Sequence, residues 1–307
     1  MPVKVVTDAS SRLPDDMCEK WAIRLVPLHI LLDGVDLRDG VDEIPDDVYA
    51  RHATTAAATP AELCAAYQQA LADSGGDGVV AVHISSALSG TCAAAERAAA
   101  DLGPAVRVVD SKSAGMGAGF VVLAAARAAA AGADLDTVAA IANSAVGRSH
   151  SFIVVHRLDN LRRSGRIGGA KAWLGTALAL KPLLRIEDGK LVLVQRVRTV
   201  RHATAAMIDR ICEVIGEDPA ALAVHHVANA AGASEVAAAL AQRLPACAPA
   251  IVTPLGPVLA LHVGAGAVAV CVELTGTKAP PGVVSAGMDH LRPPEPAAQQ
   301  RSDRRHQ

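Results

Sequence analysis

The chain has 307 residues, 51% of them hydrophobic and 20% charged, enough to bury a sizeable core and to divide into about two domains. A formal net charge of −2 with only two Trp, two Tyr and two Phe excludes both the basic footprint and the stacking rings of a generic nucleic-acid binder. The six cysteines (Cys18, Cys64, Cys92, Cys212, Cys247 and Cys271) include no Cys-x-x-Cys pair, so no zinc site is expected, and a reduced, cytoplasmic compartment is.

At the amino end "MPVKVVTDAS" carries no evident signal peptide and reads as a buried strand ending in Asp8 and a Ser10–Ser11 loop. "LPDDMCEKWAI" fits a helix opened by Pro14 and two acids, and "RLVPLHILLDG" reads as one further strand,. "TPAEL" is a capping box, with Thr59 as N-cap and Glu62 three residues on,. A strand (79–85), a helix (92–102), a strand (106–110) and a helix (117–131) follow. Their alternation predicts an α/β domain over residues 1–150, with a mainly parallel sheet flanked by helices. The apolar run "GAGFVVLAAARAAAAG" is too short to span a membrane and contains Arg127,.

After residue 150 the pattern changes. "RIEDGKLVLVQRVR" places Asp188-Gly189 between two strand-like runs, a hairpin signal,. A helix (203–215), a strand (222–227), a helix (234–244) and strands at 250–253 and 267–274 predict an α+β domain over 151–275. Residues 276–307, rich in Pro and polar side chains, are expected to form a disordered tail,.

The chemistry concentrates in a few segments. In "ISSALSGT", Ser85, Ser86, Ser89, Gly90 and Thr91 stand where a strand hands over to a helix. They are either ordinary N-caps or a lysine-free anion site at the strand's carboxyl end, a favoured ligand edge in α/β sheets. Thr54 and Thr55 in "TTAAATP" read as turn residues before a helix cap,. The glycines of "VDSKSAGMGAGF" lack the Gly-x-Gly-x-x-Gly spacing and fit close packing of a helix on a sheet equally well,. "GPVLALHVGAG" sets His262 on an apolar, strand-like run between glycines, as a core histidine or a functional one,. From His156 to Arg201 eleven basic residues face three acids, a net +8 on a chain of net −2, which points to an acidic or phosphate-bearing partner or to a solvated face. No Walker motif, nucleophile elbow or His-Glu-x-x-His occurs,.

In their order, "VTDASSRLP", "ISSALSGT", "VDSKSAGMG", "LRRSGRIGGAKAWLGTALALKPLLRIEDGKLVLVQRVRT" and "GPVLALHVGAG" resemble the DegV family of bacterial fatty-acid-binding proteins over essentially Val3 to Leu274. The resemblance implies an acyl chain such as palmitate or oleate buried between the two domains. It also implies a carboxylate held by Thr55 and Ser89 (Ser86 being the alternative serine), with His262 nearby. Here Ala56-Ala57-Ala58 replaces the family's Ser-Gln-Pro after that threonine. The resemblance further implies presentation of the acyl chain to a separate fatty acid kinase subunit that supplies ATP, with Arg166 and Arg198 at docking or phosphate-neutralising positions. No cofactor is expected, and the chain itself is not expected to be an enzyme. The alternative is a phosphotransfer or small-molecule kinase component using His262.

Overall fold

The computed structural model describes residues 2–167 and 180–276. Four strands form a parallel sheet: β1 (Lys4–Asp8), β2 (Arg24–Val26), β6 (Val79–His83) and β7 (Val106–Asp110), in the order β2-β1-β6-β7. Strand β6 is buried at all five positions, as a central strand covered on both faces must be. One face, through Val80 and Val82, packs on α4 (Met116–Ala130) and α5 (Leu135–Val146). The other, through Val79 and Ala81, packs on α2 (Pro60–Ser74) and α3 (Thr91–Leu102). Period-two alternation along the strand produces this division. A short helix, α1 (Asp15–Lys20), precedes β2.

The strand expected at "RLVPLHILLDG" is two strands. Pro27 offers no N–H to a ladder, and the chain leaves the parallel sheet there. It enters a three-stranded antiparallel ribbon, β4 (Val35–Arg38), β3 (His29–Leu32) and β5 (Thr54–Ala56), in the order β4-β3-β5. The expected turn at Thr54–Thr55 is therefore a strand, with Thr55 opposite Ile30 and Ala56 opposite His29. The capping box is present: Thr59 and Glu62 exchange their side chain–backbone bonds at the start of α2.

From Ser149 on, the strands belong to a six-stranded mixed sheet, β10-β9-β8-β13-β11-β12. Its members are β8 (Ser149–Val154), β9 (Lys181–Glu187), β10 (Lys190–Val197), β11 (Ala220–His226), β12 (Ile251–Pro254) and β13 (Val268–Leu274). All pairings are antiparallel except β11 with β12. Asp188 and Gly189 both take positive φ between β9 and β10, as a two-residue hairpin turn requires. Phe152 and Val154 face α7 (Val200–Ile215) and α8 (Ala230–Arg243), while Ile153 and Val155 face the opposite cluster. That cluster includes α6 (Asp159–Ser164) and α9 (Pro257–Val263).

The run holding His262 is thus helical, not a strand. Pro257 occupies the first turn, and Gly256 and Gly264, both at φ 80, close its two ends; proline at the start and glycine past the end favour this. Helix α4 packs against both larger sheets, contacting Val80 and Val82 of one and Ala223 and Cys271 of the other. Its glycines permit this: a Cβ on Gly117 would run into the hydroxyls of Ser113 and Ser151,.

Residues up to Gly276 pack as one compact unit. The division near residue 150 is retained as a proposal, with strands up to Asp110 in the first two sheets and those from Ser149 in the third. The expected tail beyond Gly276 lies outside the described residues. Beneath the parallel sheet's carboxyl edge, His83 Nδ1 donates to Asp8 Oδ2 at 2.9 Å and the Tyr67 hydroxyl lies 2.7 Å from His83 Nε2. All three side chains are buried. Burial pushes the Asp8 carboxyl up, but bonds from His83, Ser10 and the Ile84 N–H outweigh it and hold the group below its ordinary value,. This fixes the strand ends from which the site loops depart.

Candidate functional site

Those loops, with the ribbon, α9 and the inner face of the six-stranded sheet, enclose a cavity. Its volume is ≈ 950 Å³, counting the open mouth. Most of the lining is aliphatic: Leu28 before the ribbon, Ile84 and Leu88 beyond β6, Ile153 on β8, Leu191 on β10, and Leu255, Val258 and Leu259 at α9. A concave, largely apolar space with few polar groups is the usual form of a small-molecule site.

Thr55, Ser89, Arg166 and His262 all line it. Thr55 arrives on β5 and His262 on α9; Thr55 Oγ1 and His262 Nε2 lie 2.9 Å apart although 207 residues separate them. Ser89 sits one residue before the Gly90 N-cap of α3, its Oγ 2.9 Å from Thr91 Oγ1 and accepting the Thr91 N–H at 3.3 Å. Arg166, in the turn after α6, donates from Nε to the Leu88 carbonyl at 3.2 Å and from Nη1 to the Ser164 carbonyl. Burial, followed by the charge of Arg166, pushes His262 down to about 4, so its imidazole is neutral at ordinary pH. Its Nδ1 is buried without a partner. Two hydroxyls, a neutral imidazole, the start of a helix and one guanidinium therefore face an apolar space. Among the described residues Arg166 is the one Asp, Glu, Lys or Arg side chain in the lining.

The other sequence candidates go elsewhere. Ser86 is exposed and donates its hydroxyl to Asp110 at 2.6 Å, so of the two serines only Ser89 lines the cavity. Ser85 is buried and donates to the Gly189 carbonyl at 2.8 Å, fastening the strand end to the β9–β10 hairpin. Arg198 is exposed just past β10, whereas Arg166 is partly buried and lines the cavity. Within the basic segment Arg157 pairs with Asp159 at 2.8 Å and Arg185 with Glu187; Lys171 lies outside the described residues.

Sequence reading missed a second polar group in the lining, made of Ser151, His225 and Cys271. His225 Nε2 accepts the Met116 N–H at 2.8 Å and its Nδ1 lies 3.1 Å from Thr253 Oγ1. Burial and then the charge of Arg12 push it down to about 4. The adjacent pair His225-His226 marked a strand, and no sequence signal tied it to the cavity. No group of three or more His, Cys, Asp or Glu side chains among the described residues has the geometry to hold a metal ion. No helix among them is long and apolar enough to cross a membrane.

A parallel α/β layer and a mixed sheet that share a buried helix, with an aliphatic cavity closed at a hydroxyl-rich strand edge, define an α/β protein built around a small-ligand cavity. The family described as "Uncharacterised protein, DegV family" matches residues 2–275, and the chain belongs to it. A DegV domain-containing protein of Mycobacterium tuberculosis is 75% identical over 274 residues, covering 89% of this chain and 98% of that protein. A DegV family protein from Thermus thermophilus, described by its fatty acid binding, superimposes with a TM-score of 0.81 at 31% identity, over 89% of this chain and 100% of that one. DegV of Bacillus subtilis, described as a fatty acid binding protein, gives 0.81 at 26% identity over 89% and 99%.

Proposed function

We propose that the cavity binds a long-chain fatty acid such as palmitate or oleate, with its carboxylate at Thr55, Ser89 and His262 and Arg166 supplying compensating charge. The observation that carries this reading is the meeting of Thr55 and His262 at 2.9 Å in a mostly aliphatic space also lined by Ser89. The fatty acid binding described for the T. thermophilus and B. subtilis proteins supports it. A singly charged carboxylate needs a few neutral donors and a helix start rather than a phosphate-binding lysine. About 14 methylenes at ~0.8 kcal/mol each give ~11 kcal/mol gross, before the costs of association. The tail thus dominates affinity, and the polar group sets orientation.

On this reading the chain is a carrier, not an enzyme. It presents the acyl group to a separate kinase subunit that brings ATP, with the exposed Arg198 on the docking side. The six unpaired cysteines fit a reducing, cytoplasmic setting,. The phosphotransfer alternative requires His262 to meet a phosphate donor; its engagement with Thr55 inside an apolar cavity favours the lipid reading. Native mass spectrometry of freshly purified protein, followed by lipid extraction, tests the proposal. A retained long-chain fatty acid is the expected result. Its consistent absence, with no uptake of added palmitate or oleate, would end it.

A further inference from the structure

The ribbon that delivers Thr55 contains a charged cluster outside the cavity. His29, on β3, is 6% exposed, and both its ring nitrogens face carboxylates. Nδ1 lies 2.8 Å from Asp36 Oδ1 on β4, and Nε2 lies 3.0 Å from Glu62 Oε2 on α2. A neutral imidazole has one N–H and would turn a lone pair toward one of these anions; only the imidazolium donates to both. Glu62 Oε2 in addition accepts the Thr59 N–H at 2.8 Å and the Thr59 hydroxyl at 2.6 Å. One carboxylate oxygen thus ties His29 to the N-cap of α2.

The chain between these anchors is short. Strand β5 ends at Ala56, directly opposite His29, and only Ala57 and Ala58 separate it from the Thr59 cap. Ala56, Ala57 and Ala58 carry no side-chain hydrogen-bonding groups of their own, so no side chain of theirs can fix this connection by a hydrogen bond.

We propose that His29, as an imidazolium held between Asp36 and Glu62, is a positioning residue that clamps β5 to the cap of α2 and so holds Thr55 in place to receive the ligand carboxylate. This rests on the fatty-acid reading of the cavity. The remaining charged groups facing the clamp are Arg38 and Asp42, which pair with each other at 2.9 Å; β5 contributes none. Burial lowers the affinity of His29 for its proton, but the bonds and charges of Asp36 and Glu62 outweigh that and raise it above the ordinary value,. The clamp is therefore complete below about pH 6.5, the ordinary histidine value, and is lost as pH rises through the raised one. His262, pushed to about 4, stays neutral across that range and does not mimic the effect.

The test measures the dissociation constant of an anthroyloxy-labelled palmitate from pH 6 to 9.5, alongside the His29 ring resonances and deuterium exchange of residues 54–58, corrected for intrinsic rate. The wild-type protein should lose about five- to tenfold in affinity across the titration, the size of a modest coupling between two sites. His29→Gln should bind more weakly at pH 6 and show no such loss. Glu62→Gln, which retains the capping box, should move the transition to lower pH, and His29→Lys should restore tight binding at both ends of the range. A His29→Gln slope equal to wild type, or an unmoved midpoint in Glu62→Gln, would overturn the clamp. If the probe binds at no pH, the fatty-acid reading fails instead. The ring resonances and the exchange of 54–58 then decide the clamp alone: protection lost as His29 deprotonates supports it, and protection unchanged refutes it.

Discussion

Replacing Thr55 by Val keeps the shape of the side chain in the cavity and removes its hydroxyl. Combined with Ser89→Ala, it strips both hydroxyl donors from the space beside His262, while the aliphatic lining is untouched. A hydrogen bond to a charged group contributes roughly 1.5–3 kcal/mol, so the pair should cost roughly 3–6 kcal/mol of binding, or on the order of 10²- to 10⁴-fold in dissociation constant for oleate. The single Thr55→Val should cost more than Ser89→Ala. It also strands His262 Nε2, whose neighbouring Nδ1 is already buried without a partner. Ser89 instead shares its bond with Thr91 at the start of α3. Isothermal titration with oleate, with thermal unfolding of the lipid-free proteins as control, measures the effect. Affinity unchanged in the double variant, with the fold intact, would refute placement of the carboxylate between these residues.

Acid should destabilise the protein through His225 and His262. Both are held near 4 by burial, backed by Arg12 and Arg166 respectively, so the stability they confer is present above about pH 6.5 and is lost as pH falls toward about 4. Chemical denaturation at half-unit steps should show this slope and a shallower one in His225→Gln; equal slopes would remove His225 from the account. Arg198→Ala should keep its bound fatty acid yet slow acyl-phosphate formation by a cognate kinase and ATP, with raised salt slowing the wild type more than the variant. Lost lipid or full activity would each remove the docking role.

Most elements were legible in the sequence, even the short α1, but the twelve-residue α5 was not, and two short elements that carry site residues were misread. "VVAVH" stands out as an unbroken apolar run before a hydroxyl-rich turn, the Ala-rich runs after it are long enough to read as helices, and their alternation gives the parallel sheet directly. Strand β5 has three residues and helix α9 seven, too few for any period, and both carry site residues. Pro27 was a readable break inside an apolar run, and its consequence, a change of sheet, was tertiary. Ser86 and Ser89 look alike in sequence, but the turn after β6 sends one to Asp110 and the other into the cavity. The cavity place of Arg166 depends on the Leu88 carbonyl 78 residues away, a contact that no local pattern encodes.

The crowding of α4 bears on how such proteins diversify. Thirteen of its fifteen residues are buried, most of them Gly, Ala or Val, and the structure leaves no room for added atoms at Gly117 or Gly119. Enlarging a packed position costs typically 1–3 kcal/mol, so this partition between the two large sheets cannot thicken. Gly115, at its threshold, belongs to the cavity wall and is pressed against His225. At that position a Cβ would crowd His225, so change in the size of the cavity is open to its other walls instead. Exchanges such as Ile153 or Leu191 for smaller or larger side chains can lengthen or shorten that space while the partition stays fixed. The threshold of α4 is thus a fixed piece of the cavity wall, and side chains can change only on the walls across from it.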